Sequence, residues 1–360
     1  MNLRFILVTT ILVFSFAFSN PVRVTALDVP DTSDVSVLIL IGNYFGWNYF
    51  DAKECLESWG VNVTTVAYSL DYEVNSCLNR EPRPITVDLL LSEMTPELII
   101  QFDCLLVTSG GQWLALTQSE DVLVFISDAY ELGLVVASIC TGTRVVAEAN
   151  NIVNGSKVTY YSLSDPQMTA AGAITILGAE AVADGPMITG GRGGGTGGGG
   201  WLEAPTSEVC AEIVRSILGM SRVKEVSVTP SSGPVGTNFT ILAAIGNLNE
   251  SLGDILSTDV NKVTAQIFAF NNRTLIDTIE LSDDDFDGNY TGSFVGFQNG
   301  QYKVDIEVED SNETIEVARE LGTFEVETET VEPLDIVVIS TVGVGSVIIA
   351  LLVIALFRKR

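Results

Sequence analysis

Short apolar segments alternate with amphipathic ones over residues 34–219, and this alternation constrains the fold more than any other feature of the chain. Residues 35–41 form an apolar segment with the length of a buried strand, whereas residues 49–60 have the length and spacing of a helix. A second helix is predicted between Ser119, an N-cap residue type, and Gly133, a stop signal. Continuous apolar strands alternating with helices predict a Rossmann-like (flavodoxin-like) α/β fold, a parallel sheet covered by helices on both faces.

After Ser221 the helical pattern ends, and a series of short segments with alternating apolar and polar residues follows. Roughly seven such strands in about a hundred residues, separated by turn residues, are typical of an immunoglobulin-like β-sandwich. We therefore predict an α/β domain at residues 27–221 and an all-β sandwich at residues 222–330. This second region contains no cysteine, so it lacks the inter-sheet disulfide of antibody domains.

Apolar segments at both ends predict membrane signals. Residues 1–26 carry a basic residue, an apolar run and small residues suited to signal peptidase, which predicts a cleaved signal peptide; an uncleaved anchor is the alternative. Residues 336–357 are apolar and uncharged, and as a helix they extend roughly 33 Å, enough to cross a bilayer once. The basic residues 358–360 predict a cytoplasmic tail, and residues 331–335 a spacer. The predicted location is the cell membrane, with an extracellular ectodomain.

The amino-acid composition limits which functions the chain can have. The net charge is −28, with 46 acidic and 18 basic residues, which argues against a nucleic-acid partner. The chain contains no histidine, so the commonest general base and zinc ligand is missing. Seven Asn-X-Ser/Thr sites agree with an exposed location. They begin at Asn62, Asn154, Asn238, Asn249, Asn272, Asn289 and Asn312.

The segment VVASICTGTRVVAEA, residues 135–149, has the pattern of a nucleophile elbow. An apolar strand leads into Cys140, a small Thr-Gly pair permits a sharp turn, and a helix follows. The partial positive charge of a helix N-terminus favours a thiolate. The N–H of Thr141 can form half of an oxyanion hole, and the Ser-Gly-Gly turn at residues 109–111 can supply the other half. A buried, inert thiol is the alternative for Cys140.

These segments resemble the ThiJ/PfpI superfamily, within the class I glutamine amidotransferase-like fold. The matching order runs from VLILIGNYF and FDCLLVTSGG through VVASICTGTRVVAEANNIVNGSKVT to the helix SEVCAEIVRSIL, over about half of the chain. The resemblance implies that Cys140 is the nucleophile and that Gly111 and Thr141 donate to the oxyanion. It also implies a possible homodimer, since many relatives dimerise.

The chain departs from this family at the two positions that handle protons. Protease-like and amidase-like members carry His directly after the Cys, where this chain has Thr141, and many hold an acidic residue near the position of Gly46. Candidate substitutes on the next predicted helix are Asp51, Glu54 and Glu57. General acid–base help contributes roughly 10²–10⁴-fold to a rate, so its loss predicts a slow enzyme or none.

The predicted function is a weak or divergent thiol-dependent hydrolase or deglycase-type enzyme that acts on the carbonyl of a small molecule or peptide. The alternative is an inactive ligand-binding or thiol redox-sensing module, and a purely structural surface protein is a third reading. The predicted binding residues are Gly110, Trp113 and Arg192, the last as a cation for an anionic ligand. No cofactor and no metal are expected.

Two loop patterns have a plain interpretation. The glycine-rich residues 190–200 lack the Lys-Ser/Thr ending of a phosphate-binding loop, which favours a flexible loop. Residues 283–289 match the first half of a calcium loop, but Phe294 stands where the motif requires Glu, which favours a β-hairpin turn.

The five cysteines are an odd number, which leaves at least one unpaired. We expect Cys140 to be the free thiol and Cys55–Cys77 to be a disulfide, because their segments flank the second strand. The alternative is that all five are reduced.

Overall fold

The computed structural model describes residues 32–77, 83–161, 166–191, 204–246 and 259–328. The predicted signal peptide at residues 1–26 and the predicted spanning segment at residues 336–357 lie outside these residues. Within the described ranges, no helix has the length and hydropathy needed to cross a membrane.

The first part of the chain is α/β, with short strands and helices in alternation. Its strands are β1 Ser36–Gly42, β2 Asn62–Tyr68, β3 Glu73–Asn75, β4 Pro84–Thr86, β5 Leu89–Leu90, β6 Cys104–Val107, β7 Val135–Ile139, β8 Lys157–Val158, β9 Ile174–Thr175, β10 Ala181–Asp184 and β11 Met187–Gly190. Its helices are α1 Asn48–Ser58, α2 Pro96–Ile99, α3 Trp113–Thr117, α4 Glu120–Glu131, α5 Gly142–Ala147, α6 Gln167–Ala170 and α7 Thr206–Ile217.

A parallel sheet forms the centre of this part, in the strand order β5-β2-β1-β6-β7-β11, with β10 antiparallel at its end. Side chains along β1 alternate between the two faces. Ile39 and Ile41 pack with residues of α1 and α7, whereas Leu38 and Leu40 pack with residues of α4 and α5. Helices therefore cover both faces, and the predicted mixed α/β fold with a parallel sheet is confirmed.

The second part of the chain is β-rich, as predicted. Its strands are β12 Val223–Thr229, β13 Ser232–Pro234, β14 Asn238–Ile245, β15 Val260–Ala269, β16 Leu275–Leu281, β17 Asn289–Val295, β18 Gly300–Asp310 and β19 Thr314–Glu327. An antiparallel sheet β12-β14-β17 shares one core with the strands β16-β15-β18-β19. In this core Phe239 and Ile241 of β14 lie with Val304 and Ile306 of β18.

The two parts share a single continuous sheet. Residues 314–317 at the start of β19 pair in parallel with residues 181–184 of β10, and the rest of β19 pairs with β18. The sequence gives no sign of this pairing, because a hydrogen-bonded edge between two distant strands has no local signature.

Charged side chains are buried at this joint. Arg222 is 1 % exposed and donates to Asp310 at 2.7 Å and to Glu212 at 3.1 Å. Arg319 pairs with Asp184 from the other side of the joint. These pairs connect α7 and β10 to the β-rich part.

The acidic loop at residues 283–289 connects β16 to β17, which belong to different sheets. Ser282 and Thr291 exchange backbone hydrogen bonds, as a hairpin predicts, but the strands then separate instead of continuing as a pair. Three carboxylates of the loop have oxygens within 4.8 Å of one another. They belong to Asp283, Asp285 and Asp287.

Candidate active site

Cys140 lies at a strained turn between β7 and α5. Its φ is 53°, in the left-handed region that non-glycine residues seldom adopt. Its N–H donates to the carbonyl of Gly190 at 2.7 Å, which fixes the turn to β11. A Cβ at Gly142 would lie 2.3 Å from the carbonyl oxygen of Val107, so only glycine fits there. The structure therefore has the local geometry that a nucleophile elbow requires.

The Ser-Gly-Gly turn lies beside this elbow. The Gly110 N–H donates to the Thr141 hydroxyl at 2.9 Å, and that hydroxyl donates to the Gly110 carbonyl at 3.2 Å. Gly111 is exposed, and the antiparallel bridge between Phe45 and Gly110 turns its N–H toward the loop after β1. The Thr141 N–H hydrogen-bonds the Cys140 sulfur. Of the two predicted oxyanion donors, the Thr141 amide is engaged by the thiol, and the Gly111 amide faces the loop after β1.

The Cys140 thiol is buried, with 6 % of the residue exposed. Burial raises the pKa of Cys140 to about 11, although the Thr141 N–H and the charge of Arg144 both lower it. The thiol is therefore protonated at neutral pH. The expected effect of the helix N-terminus on the thiolate is too small to offset burial, because α5 is only six residues long.

The position that holds an acid in many relatives has no room for a side chain here. A Cβ at Gly46 would lie 2.3 Å from the Ser109 hydroxyl oxygen and 2.9 Å from its backbone carbonyl. The Gly46 N–H donates to that carbonyl at 2.7 Å. Next to it, the side-chain oxygen of Asn48 accepts from the Ser109 hydroxyl at 2.7 Å. The loop after β1 thus approaches the Ser-Gly-Gly turn through its backbone and an amide.

The acidic residues suggested as substitutes do not reach the thiol. Asp51, Glu54 and Glu57 are exposed on the outer face of α1, whose buried face carries Tyr49 and Ala52. Among the described residues, no side chain hydrogen-bonds the Cys140 sulfur. In the part of the chain that the structure describes, the elbow therefore has no side-chain proton acceptor bonded to the thiol.

Arg144 is the cation that the structure places next to Cys140. Its guanidinium carbon lies 4.4 Å from the ring centre of Trp113 and 5.0 Å from that of Tyr161. Arg144 was not among the residues predicted for the site, although a basic residue four positions after the cysteine was the available signal. The predicted binding residue Trp113 packs against Arg144, whereas Arg192 lies outside the described residues.

All five cysteines are free thiols in the structure, and the predicted Cys55–Cys77 disulfide is not formed. The thiol next to Cys55 is that of Cys210, because α1 packs against α7. The order of segments along the chain does not reveal this contact between two distant helices.

A parallel sheet with helices on both faces and a cysteine at a strained turn after a central strand define a cysteine-elbow α/β domain. Residues 35–196 match the DJ-1/PfpI family, and this part of the chain is a DJ-1/PfpI domain. The resemblance to the ThiJ/PfpI superfamily is thereby confirmed for these residues. The family includes cysteine-dependent protease and deglycase members. None of the curated proteins matches this chain.

Three solved structures are similar to part of this chain at low sequence identity. A ThiJ/PfpI domain protein from Brachyspira murdochii is 18 % identical, with a TM-score of 0.43, over 53 % of this chain and 100 % of that protein. A DJ-1 superfamily protein from Salmonella typhimurium is 20 % identical, with a TM-score of 0.42, over 51 % and 91 %. DJ-1 from Schizosaccharomyces pombe is 13 % identical, with a TM-score of 0.42, over 51 % and 97 %.

Proposed function

We propose that the DJ-1/PfpI domain adds the Cys140 thiol to the carbonyl carbon of a small aldehyde, in slow thiol-dependent chemistry. The observation that carries this proposal is the left-handed backbone of Cys140, with φ at 53° directly after β7. Such a conformation costs on the order of 1–3 kcal/mol in a non-glycine residue, and it persists where its surroundings enforce it. A thiol with only a packing role does not need this turn.

The addition needs few groups. The sulfur forms a bond to the carbonyl carbon, the carbonyl π electrons move to oxygen, and the thiol proton ends on that oxygen as a hemithioacetal hydroxyl. The charge of Arg144 favours the transient thiolate, and the Ser-Gly-Gly turn beside the elbow is the proposed source of a donor to the oxygen. No leaving group departs in this step.

An aldehyde suits this site better than an amide. Amide hydrolysis requires a proton donor for the leaving nitrogen. The chain has no histidine, and the acids of α1 are on its exposed face. Addition to an aldehyde avoids that requirement, so the small carbonyl compound is favoured over a peptide substrate.

A ligand-binding or thiol-sensing module without turnover is the second candidate. The raised pKa of Cys140 favours it, because a protonated thiol is a weak nucleophile. The lack of space for an acidic side chain at Gly46 favours it as well. In this reading the elbow holds a carbonyl compound reversibly and releases it unchanged.

An experiment with ¹³C-labelled glyoxal separates these candidates. The full chain is mixed with the probe and followed by carbon NMR, with Cys140→Ser as the variant and Cys77→Ser as the matched control. A hemithioacetal resonance that is lost only in Cys140→Ser supports addition at Cys140. Release of more than one equivalent of glycolate, formed from glyoxal and water, indicates an enzyme, whereas a single bound equivalent indicates the module. Identical spectra for the native chain and Cys140→Ser would refute both.

We also propose that this domain is displayed outside the cell by a single membrane anchor at residues 336–357. The support is the sequence: an uncharged apolar run of spanning length followed by a basic tail. Protease treatment of intact cells tests the topology, and protection of the DJ-1/PfpI domain would contradict it.

The immunoglobulin-like assignment of the β-rich part and the homodimer stay predictions. A folding test of residues 222–330 addresses the immunoglobulin-like assignment. Sedimentation of the detergent-solubilised chain addresses the homodimer.

A further inference from the structure

Two cysteines outside the Cys140 site meet on the opposite side of the central sheet from α4 and α5. Cys55 lies in α1 and Cys210 in α7, and these helices pack against each other. The Cys210 sulfur is 3.9 Å from the carbonyl oxygen of Ala52, one turn before Cys55 in α1. The two thiols also lie close enough for each to shift the pKa of the other. Two neighbouring thiols on helices that pack together meet the first requirement for a disulfide.

The two thiols differ in exposure and in acidity. Cys55 is half-buried at the edge of the core, whereas Cys210 is completely buried. The neighbouring Cys210 thiol lowers the pKa of Cys55, and the Cys55 thiol, together with burial, raises the pKa of Cys210. A partly exposed, more acidic thiol beside a protected one is the arrangement in which the first attacks an external disulfide and the second resolves it.

We propose that Cys55 and Cys210 are a thiol–disulfide pair that links α1 to α7 when the chain meets a low-molecular-weight disulfide such as oxidised glutathione. The Cys55 thiolate attacks one sulfur of that disulfide, forms a mixed disulfide and releases one glutathione thiol. The Cys210 thiol then attacks the Cys55 sulfur, loses its proton and releases the second glutathione. Two protein thiols are oxidised and one external disulfide is reduced to two thiols. This pair is independent of the carbonyl chemistry proposed for Cys140.

The other cysteines are poor partners for Cys55. Cys77 has its N–H bonded to the carbonyl of Phe45 in the loop after β1, and its thiol is not among the groups that act on Cys55. Cys104 is fully buried in β6, and burial raises the pKa of its thiol far above the usual range. Cys104 lies close enough to Cys210 to affect the pKa of Cys210, so it is the competitor that the experiment must exclude.

The bridge would fix the last helix of the domain to the first. Cys55 and Cys210 are 155 positions apart in the sequence, so closing this link removes many conformations from the unfolded chain. The neighbouring residue Val209 packs against Gly190, whose carbonyl accepts the Cys140 N–H. We therefore expect the oxidised chain to melt higher than the reduced chain by roughly 5–10 °C.

The test is peptide mapping of the full chain after incubation in oxidised glutathione, with remaining thiols blocked by N-ethylmaleimide before digestion. The expected product is a peptide pair joined through Cys55 and Cys210, with the accompanying rise in melting temperature. The pair is expected to be absent in Cys55→Ser and retained in Cys77→Ser and Cys140→Ser. Retention in Cys140→Ser keeps this proposal separate from any failure of the carbonyl chemistry.

Three outcomes would overturn the proposal: a glutathione adduct that remains on Cys55 without a bridge, a Cys104–Cys210 or Cys55–Cys77 link, or no oxidation of Cys55 in the folded chain. Cys210→Ala leaves a cavity at a buried site and risks misfolding, so the decision rests on Cys55→Ser and on mapping of the native chain. Circular dichroism of each variant confirms that it is folded before oxidation.

Discussion

At the scale of single residues, the acidity of Cys140 decides what the elbow can do. Its pKa is raised to about 11, chiefly by burial, so about 10⁻⁴ of the thiol is ionised at pH 7. Because a raised pKa keeps the thiol neutral at lower pH, we expect the alkylation rate at Cys140 to rise about tenfold per pH unit and to level off only near pH 11. Iodoacetamide labelling followed by mass spectrometry measures this profile.

The unfolded chain provides the control for that profile, since its Cys140 should level off near pH 8.5, the ordinary value of a thiol pKa. A plateau near pH 8.5 in the folded protein would mean that burial does not govern this thiol. The second control is Arg144→Met, which removes the nearby charge and should slow labelling at a fixed pH, whereas Arg144→Lys should largely restore it.

A substitution at Gly142 tests whether the turn at Cys140 requires glycine. Alanine there would place its Cβ 2.3 Å from the Val107 carbonyl oxygen, which is backbone and cannot swing away. We expect Gly142→Ala to lower the free energy of unfolding by about 1–3 kcal/mol. The matched variant is Gly42→Ala, whose nearest contacts of 3.5 Å are ordinary ones. Urea unfolding measures the stability of both variants. Equal losses in Gly142→Ala and Gly42→Ala would contradict the predicted clash at Gly142.

The residues of the site were predictable to the extent that their roles are local. Cys140, Thr141 and Gly110 stand within short sequence patterns, and the structure brings all three together. Arg144 and Asn48 were missed because their roles depend on contacts with α3 and with the turn after β6, which lie far away in sequence. Periodicity says which residues are buried, but it does not say which distant loop they meet.

At the scale of elements, the helix boundaries follow local chemistry. The Ser119 hydroxyl accepts the Val122 N–H at 3.4 Å and caps α4, and the helix ends just before Gly133, as the sequence predicts. We expect Ser119→Ala to lower the free energy of unfolding by about 1 kcal/mol, because it leaves an N–H of the first turn unpaired. Ser119→Thr keeps the cap and should stay near the native stability in urea unfolding. Equal losses in both variants would assign the effect to packing of Ser119.

The strands were predicted as elements, but their partners were not. The run of apolar residues in β7 identifies a buried strand, and its neighbours in the parallel sheet follow the family fold. The pairing of β10 with β19 was not predictable, since these strands come from regions with different sequence patterns. Two strands from different parts pair when both have an unpaired edge in the folded chain. The order of residues along the chain does not specify which edges remain unpaired.

At the scale of the whole molecule, the joint between the two parts contains buried charge. Arg222 lies between Asp310 of β18, Glu316 of β19 and Glu212 of α7, and it is nearly inaccessible to water. Such a cluster contributes little net stability compared with apolar packing, but it penalises any arrangement in which one member loses its partners. It therefore fixes the orientation of the β-rich part against the DJ-1/PfpI domain.

Removing Arg222, the cation at the centre of this cluster, should lower the free energy of unfolding. Arg222→Ala leaves the carboxylates of Glu212 and Asp310 buried without their shared partner, so we expect a loss of about 3–5 kcal/mol in the free energy of unfolding. The matched variant is Lys262→Ala, which removes an exposed pair with Glu280 and should cost under about 1 kcal/mol.

Arg222→Ala also tests whether the shared sheet makes the two parts unfold together. Because β19 is hydrogen-bonded to both β10 and β18, separating the parts breaks a strand pairing as well as the ion pairs. We expect one cooperative transition for the native chain and two for Arg222→Ala, since the joint then opens before either core melts. Calorimetry measures this, and near-ultraviolet circular dichroism reports the DJ-1/PfpI domain through Trp47, Trp59 and Trp113, all of which lie in it. Two separate transitions in the native chain would show that the joint is weaker than its buried charges and continuous strands indicate.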